Sequence, residues 1–380
     1  MGRTPQKDRG PRPSQDSAPV PVPGRENPEP RLPHPSDHGT MIGSQELPPS
    51  TDDGVLGICH LRRFWARTQA QRQGVPTPGE DPLDRLLVHA LGLGWEPTLQ
   101  FLFGHGPDVA GLLAWIRTEA GEPDEETVAR FNAEVRGLSP PESVQARLRS
   151  IEAMEPVLDA GDLARWEAEG IVILREAAPA DAIQAAEEAL WKHLGAQPED
   201  RDSWYRAPTQ GIMVQLFRHP ALARIHRSRR IHKAFAQLWK TPDLWMTTDR
   251  CGFNVPVREG HPFRGPDLHW DVSLHLPIPF GTQGILYLTD TPTEQGALTV
   301  VPGFQHRLPG WLASLPAGTD PRGQDLHALG SKPIPGRAGD LIIWHQALPH
   351  GSRPNLEARP RLVHYLDMRP FRIVAADTWL

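Results

Sequence analysis

Apolar and polar positions change rhythm along this chain, and each rhythm predicts a different element. From Leu56 to about Gly137 the apolar residues recur at helical spacing: Asp84-Arg-Leu-Leu-Val-His-Ala-Leu91 shows it, Pro107 to Ala120 repeats it, and Glu125 to Val135 follows the start signal Pro123-Asp124. This predicts a small helical unit. Ser139-Pro140-Pro141 punctuates the chain, and a second helix-rich stretch opens near Ser143. After Leu158 the pattern predicts a short amphipathic helix over Asp159 to Glu169, a strand over Gly170 to Arg175, and a helix from Pro179 to Leu194 with proline in its first turn. Strand-like runs then dominate: Leu244 to Thr248, Gly252 to Val257, His269 to Leu276, Gly284 to Thr289, Ala297 to Val301, Asp340 to His345 and Leu362 to Met368. They are short, spaced by Gly/Pro loops and free of regular intervening helices, which predicts an antiparallel sandwich or barrel rather than a doubly wound sheet.

Composition changes the picture at the N-terminus. Twelve of the 42 prolines fall in residues 1–50, in a stretch with almost no aliphatic run. Such a segment buries too little apolar surface to offset its ordering entropy, so residues 1–54 are expected to be a disordered, partly polyproline-like leader. The remainder divides into a helical unit over 55–150 and a larger domain over 151–380. A formal net charge of −6 argues against a nucleic-acid partner, since such binders display a basic excess. The two cysteines, Cys59 and Cys251, lack the spacing of a disulfide framework or a thiolate zinc site, and a reducing cytoplasm is the expected location. No run of apolar residues reaches membrane-spanning or signal-peptide length, so no membrane partner is expected.

Seventeen histidines offer many candidate ligands, and spacing selects among them. Read as a strand, Leu268-His269-Trp270-Asp271-Val272-Ser273-Leu274-His275 puts His269, Asp271, Ser273 and His275 on one face. An imidazole and a carboxylate then converge, and a second imidazole from another strand would complete a two-His-one-carboxylate face with open positions, the arrangement suited to non-haem Fe(II) oxygenases. Gly339-Asp340 through Trp344-His345 to His350-Gly351-Ser352 offers it as a strand running into a turn, and Arg361 follows at the head of the last strand.

With these residues the chain resembles the phytanoyl-CoA dioxygenase-like branch of the Fe(II)/2-oxoglutarate oxygenases. The resemblance covers about Leu158 to Pro370 and rests on His269-Trp270-Asp271, the segment Gly296 to Arg307, the Gly339-Asp340 strand leading to His350-Gly351-Ser352, and Arg361. It implies a double-stranded β-helix (jelly roll, cupin-like), mainly β with flanking helices, in which His269, Asp271 and His350 bind Fe(II). It also implies that Arg361, with Ser352, holds the distal carboxylate of 2-oxoglutarate, and Tyr287 matches an aromatic position near the cosubstrate. A guanidinium suits that role because it grips a carboxylate through two parallel hydrogen bonds. The implied reaction is hydroxylation of a small organic or acyl substrate by dioxygen, with succinate and CO₂ as coproducts. Asp271 favours hydroxylation, or a related oxidation such as desaturation, over halogenation, which needs the carboxylate position vacated. The segment Pro302-Gly303-Phe304-Gln305-His306 is one residue longer than the family's Pro-Gly-Ser-His and is expected to be a differently shaped loop over the pocket.

Blander readings stand beside these. His345 ends an apolar strand and reads as a hydrogen-bonded structural residue, His275 as pocket lining or exposed, His306 and Arg307 as loop decoration, and Gln215 as a pocket residue. Arg359 is the rival of Arg361, and spacing favours Arg361. The basic stretch Arg224 to Lys233 reads as a solvated helix face, or as a dock for an anionic substrate. Trp204, Trp245, Trp270 and Trp344 read as core. Two other classes compete with the oxygenase: a non-oxidative cupin-like metal protein in which Arg361 pairs with an acid such as Asp367, and an interaction protein working through its helical unit. Succinate release on adding Fe(II) and 2-oxoglutarate separates the first; deletion of the helical unit separates the second.

Overall fold

The computed structural model describes residues 47–371. Most of the Pro-rich leader lies outside them. Its last residues, 47–54, are tied to the helical unit: Arg63 donates to the Pro48 carbonyl (2.9 Å), the Cys59 thiol to the Thr51 carbonyl (3.4 Å), and Arg136 to Asp53 (2.6 Å).

Five helices, Leu61–Arg72, Asp81–Ala90, Trp95–His105, Val109–Ala120 and Glu125–Val135, enclose a core that includes Leu61, Phe64, Leu87, Leu102, Ile116 and Phe131. The start signal at Asp124 works as expected, accepting from the backbone N–H of Thr127, and Asp108 does the same for Gly111, so both satisfy donors that the first turn leaves unpaired. Charge is buried here too. Arg67 donates twice to Asp84 (2.7 and 2.9 Å), His60 contacts the same carboxylate (2.8 Å), and Arg63 grips Glu80 (2.7 Å). The strand residue Trp245 belongs to this core and meets Phe131 edge-on, so the helices are seated on the sheet region.

The strands are β1 (Ile171–Leu174), β2 (Met213–Val214), β3 (Trp245–Met246), β4 (Cys251–Asn254), β5 (Thr282–Tyr287), β6 (Leu298–Val300), β7 (Lys332–Ile334), β8 (Leu341–His345), β9 (His350–Gly351), β10 (Arg361–Tyr365) and β11 (Met368–Arg369). They form an antiparallel six-stranded sheet ordered β1-β8-β5-β10-β4-β2, a three-stranded sheet β7-β6-β9 and a ribbon β11-β3. Both faces of the large sheet are covered, which explains runs such as Ile-Val-Ile-Leu and Leu-Ile-Ile-Trp with little polar alternation. Val172, Leu286, Leu341, Ile343 and Leu362 face a helical layer that includes Ala180–Leu194 and Arg229–Trp239. Ile285, Tyr287, Ile342, Trp344 and Val363 face inward and meet Leu298 and Val300 of the three-stranded sheet. Two antiparallel sheets therefore share one core, the coarse form of the expected sandwich.

Several expectations need correction. The described residues hold twelve α-helices beside the eleven short strands, so the protein is mixed α and β rather than mainly β. Stretches read as loops between strands, such as Phe304–Ser314, are helices. There Gly303 takes a left-handed φ of 71° and starts the helix, so the Pro302-Gly303-Phe304 segment is no open loop, and His306 is held against the Glu167 carbonyl (2.7 Å). The segment from His269 to Leu276 is not a strand; only His269 pairs, in a single bridge with His350. Arg224, Arg227, Arg229 and Arg230 of the basic stretch are exposed, as a solvated face requires, but most of its cations also have partners. Arg224 pairs with Asp181, Arg229 and Arg230 donate to the carbonyls of Ser150 and Arg175, and buried Lys233 donates to Glu152 O (2.8 Å), so its cations fasten neighbouring segments. Both cysteines are free and buried. No helix among the described residues is long and apolar enough to cross a membrane.

The ion network gives a stability test. Asp84→Ala would leave the guanidinium of Arg67, which is 2% exposed, with only its longer contact to Glu80 (3.3 Å), and losing one partner of such a buried pair costs about 3–5 kcal/mol. Urea unfolding should show that loss. Glu142→Ala, which breaks an exposed pair with Arg149, should leave the midpoint unchanged.

Candidate metal centre and a buried arginine

His269 and His350 face each other across one antiparallel bridge, each N–H donating to the other's carbonyl (2.9 and 3.0 Å). The approach is close. A Cβ on Gly351 would lie 2.5 Å from the Asp267 carbonyl oxygen, so glycine lets residues 266–269 run along β9. Trp270 then turns the chain: its buried indole donates to Ala347 O (3.0 Å) and lies beside Phe304 and Trp311. Anchoring that residue inward throws Asp271 outward, back toward both histidines.

The resulting donor set is compact. One ligand atom from each of His269, Asp271 and His350 lies within 4.8 Å of the others. The His269 and His350 Nε2 atoms stand 3.3 and 3.2 Å from the two Asp271 oxygens. In each ring Nδ1 faces a carbonyl, Asp267 O at 2.7 Å and Leu348 O at 3.2 Å. A carbonyl only accepts, so Nδ1 carries the hydrogen, and a neutral ring aims its Nε2 lone pair at the carboxylate. Lone pairs so arranged need a positive charge between them, either protons on both rings or a cation. The set of two imidazole nitrogens and one carboxylate therefore fits a divalent metal with open positions. The Asp271 side chain is 54% exposed and that of His350 only 6%, which puts the open side at Asp271.

Electrostatics agree with the geometry. Burial opposes the charge on Asp271, yet the hydrogen bonds and charges of His269 and His350 outweigh it and hold the carboxyl well below the usual range. Burial likewise opposes a charge on His269, and its contact with Asp271 overcomes this and raises its pKa.

Supporting groups fix these ligands in place, and sequence reasoning missed them. Gln283 donates to Asp271 Oδ2 (2.6 Å) while its own carbonyl accepts from the Trp344 indole (3.0 Å), which fixes the direction of the amide. Arg322 donates to the carbonyls of Trp270 and Val272 (both 2.7 Å), one on each side of Asp271. His327 contacts Asp267 (2.7 Å). The signal for Gln283 was available: it is the polar member of an inward series, Gln283, Ile285, Tyr287, that is otherwise core.

Arg361 is 0% exposed at the start of β10. It donates to Gly296 O and to Ser352 Oγ (3.2 Å), its Nε has no partner, and no carboxylate among the described residues pairs with it. A buried guanidinium without a counter-charge is costly, and a carboxylate ligand would relieve it. Asp367 lies instead near Arg369 (3.6 Å) and accepts from Thr282 (2.6 Å), contrary to the cupin-like alternative. Arg359 is exposed. Tyr287 braces the two sheets: its hydroxyl donates to Ile334 O (2.8 Å) and accepts from Leu298 N (3.0 Å). Burial pushes that hydroxyl up to about 12, against the pull of nearby Arg361.

The remaining candidates fall away from the site. His345 accepts from Ala347 N (3.1 Å), packs against Trp166 and Phe280, and is pushed by burial down to about 4. His275 is exposed, and Gln215 donates to Gln210 (2.6 Å). A second cluster, His60, Glu80 and Asp84, also has ligand spacing, but Arg63 and Arg67 already neutralise its carboxylates. A cavity of about 630 Å³, lined by His89, Arg130, Arg218 and Trp245 among others, does not include the triad.

The chain is similar to several known proteins. The model of the phytanoyl-CoA dioxygenase (PhyH) family matches residues 133–363. A phytanoyl-CoA dioxygenase-like protein of Dictyostelium discoideum is 30% identical over a region covering 37% of this chain and 51% of the relative, so the chain spans about half the length of that curated relative. Among solved structures, the epimerase SnoN in complex with Fe³⁺, alpha-ketoglutarate and nogalamycin RO is 18% identical with a TM-score of 0.42, covering 58% of this chain and 84% of that one. HygX from Streptomyces hygroscopicus with nickel and 2-oxoglutarate is also 18% identical, with a TM-score of 0.42 and coverage of 57% and 88%. EctD from S. alaskensis with bound Fe is 19% identical, with a TM-score of 0.42 and coverage of 57% and 81%. The family match spans more than half of the sequence and contains the triad, Ser352 and Arg361, and the chain belongs to the phytanoyl-CoA dioxygenase family.

Proposed function

We propose that the protein is an Fe(II)- and 2-oxoglutarate-dependent dioxygenase that hydroxylates a small organic or acyl substrate, releasing succinate and CO₂. The observation that carries this reading is the pair of unsatisfied charge demands at one site: lone pairs of His269, Asp271 and His350 turned on a common centre, and buried Arg361 without a carboxylate partner. The three side chains would hold the metal, and Arg361 with Ser352 would hold the distal carboxylate of 2-oxoglutarate. Metal and cosubstrate, when bound, supply the oxidative chemistry.

The chain's part is positioning. Asp267 O and Leu348 O keep both imidazoles in the Nδ1–H form, so Nε2 stays available for ligation. Gln283 and Arg322 stop the exposed Asp271 from swinging away. The apolar inner face around Ile285, Trp344 and Val363 keeps water from the cosubstrate side, while the open side at Asp271 admits the substrate. Release of succinate on adding Fe(II) and 2-oxoglutarate, with a mass-spectrometric screen for a substrate gaining one oxygen, tests the reading. No succinate under any substrate would refute it.

Two substitution series probe the site. Ala at His269, Asp271 or His350 should abolish stoichiometric Fe(II) binding and turnover. Gln283→Leu should weaken metal binding by about 10–100-fold with the fold intact, as read by titration with Fe(II) and by circular dichroism.

Arg361→Ala should weaken 2-oxoglutarate binding by about 2–5 kcal/mol, the usual cost of truncating a buried charged hydrogen-bonding partner. Arg361→Lys should restore only part of it, because an ammonium cannot form the fork. Arg359→Ala serves as the control and should leave the affinity unchanged. A damaging Arg359→Ala with a silent Arg361→Ala would reassign the anchor.

A further inference from the structure

The cavity of about 630 Å³ lies where the helical unit meets the β domain, and its size is that of a small-molecule pocket. Its walls include the end of helix Asp81–Ala90, the segment Glu122 to Arg130, the segment Phe217 to Arg227 and the run Trp245 to Thr248. The two sides are fitted closely. A Cβ on Gly94 would lie 2.4 Å from the Phe217 ring and one on Gly92 3.2 Å from Arg218 Cδ, so glycine lets this segment lie against the loop that follows the helix. Arg130 lies over Trp245, 4.1 Å from the ring centroid. On the β-domain side His226 stacks on His364 of β10, with 2.8 Å between their Nε2 atoms. His364 follows Val363, which faces the inner core, so the cavity lies on the other face of the large sheet from the metal site.

Its charges do not balance. Arg130 is paired with Asp243 (2.6 Å), Arg147 with Glu126, and Glu122 with Arg117 (2.6 Å). Asp124 caps helix Glu125–Val135, whose positive end offsets its charge. Arg218 and Arg227 remain. Both are exposed at the rim, and neither has an ion-pair partner among the described residues.

The histidines of the wall have assigned directions. His89 and His219 accept backbone N–H groups at Nδ1, from Thr248 (3.1 Å) and Ala221 (3.2 Å), so each carries its hydrogen on Nε2. His364 Nδ1 faces Arg250 O (3.3 Å) and carries its hydrogen there, so its Nε2 accepts from His226 Nε2–H. That leaves His226 Nδ1 as a lone pair without a partner among the described residues, on a ring that burial pushes down to about 4 and so keeps neutral.

We propose that this cavity is a second ligand site, for a hydroxyl-bearing phosphate monoester: Arg218 and Arg227 hold the phosphate at the rim, and His226 Nδ1 accepts from the hydroxyl within. Two unpaired guanidinium groups match the two charges of a phosphate monoester, where a monocarboxylate would leave one cation unmatched. The site is independent of the oxygenase reading. Because His89 belongs to the helical unit and both arginines to the β domain, its occupancy ties the two together.

The test is calorimetry on the full chain with three probes: glycerol 3-phosphate, n-propyl phosphate, which lacks the hydroxyls, and glycerate, which carries a carboxylate in place of the phosphate. Glycerol 3-phosphate should bind at least about fivefold more tightly than either analogue. Arg218→Gln combined with Arg227→Gln, at two exposed positions, should weaken it at least about tenfold and leave the circular-dichroism spectrum unchanged. His226→Phe should bring glycerol 3-phosphate down to the affinity of n-propyl phosphate; should that variant fail to fold, the ratio of the two probes on the unsubstituted protein decides. Undiminished binding to the double Gln variant, or glycerol 3-phosphate binding no tighter than glycerate, overturns the phosphate site. Equal binding of glycerol 3-phosphate and n-propyl phosphate to the unsubstituted protein overturns the part given to His226.

Discussion

Everything at the site depends on one backbone contact, the bridge between His269 and His350. Two ligands 81 positions apart in sequence are brought face to face by a reciprocal pair of hydrogen bonds, and a side chain at Gly351 would prevent it. The third ligand needs no strand of its own, because a buried indole between His269 and Asp271 sends the carboxylate back over the bridge. The six-stranded sheet supplies the rigidity behind this contact, since Trp344 and Gln283 sit side by side in register and brace the carboxylate from below. Arg361 extends the same sheet, its side chain sharing the inward face with Val363.

Much of this was legible in the residues. Helix boundaries set by Asp124 and Asp159 were readable because a capping carboxylate acts within three residues of itself. Strands buried on both faces were readable as continuous aliphatic runs. Residue type and order single out the candidate triad and Arg361, but His269 and Asp271 converge through a turn, not through strand alternation. A local pattern cannot separate these cases, since an anchored Trp270 and an extended pleat both place alternate residues on one side.

What could not be read is what depends on distant partners. The hydroxyl of Tyr287 is held by Leu298 and Ile334, partners that no pattern near Tyr287 announces. The cations of the 224–233 stretch resemble a binding face, yet Arg229, Arg230 and Lys233 terminate on carbonyls of segments more than fifty positions away. Arg322 holds the backbone around Asp271 from fifty positions downstream, and nothing near it in sequence announces that role.

The burial of Arg361 also bears on folding. A guanidinium 0% exposed, with one nitrogen unpartnered, is a desolvated charge that the native chain carries alone and the unfolded chain leaves in water. Any carboxylate ligand that reaches it binds only the native state, so ligand concentration becomes a variable of the folding equilibrium. At a hundredfold excess over its dissociation constant such a ligand adds about 2.7 kcal/mol. That is a sizeable share of the stability of an ordinary domain. The supply of the acid would then govern how much folded protein survives, as well as how fast it works.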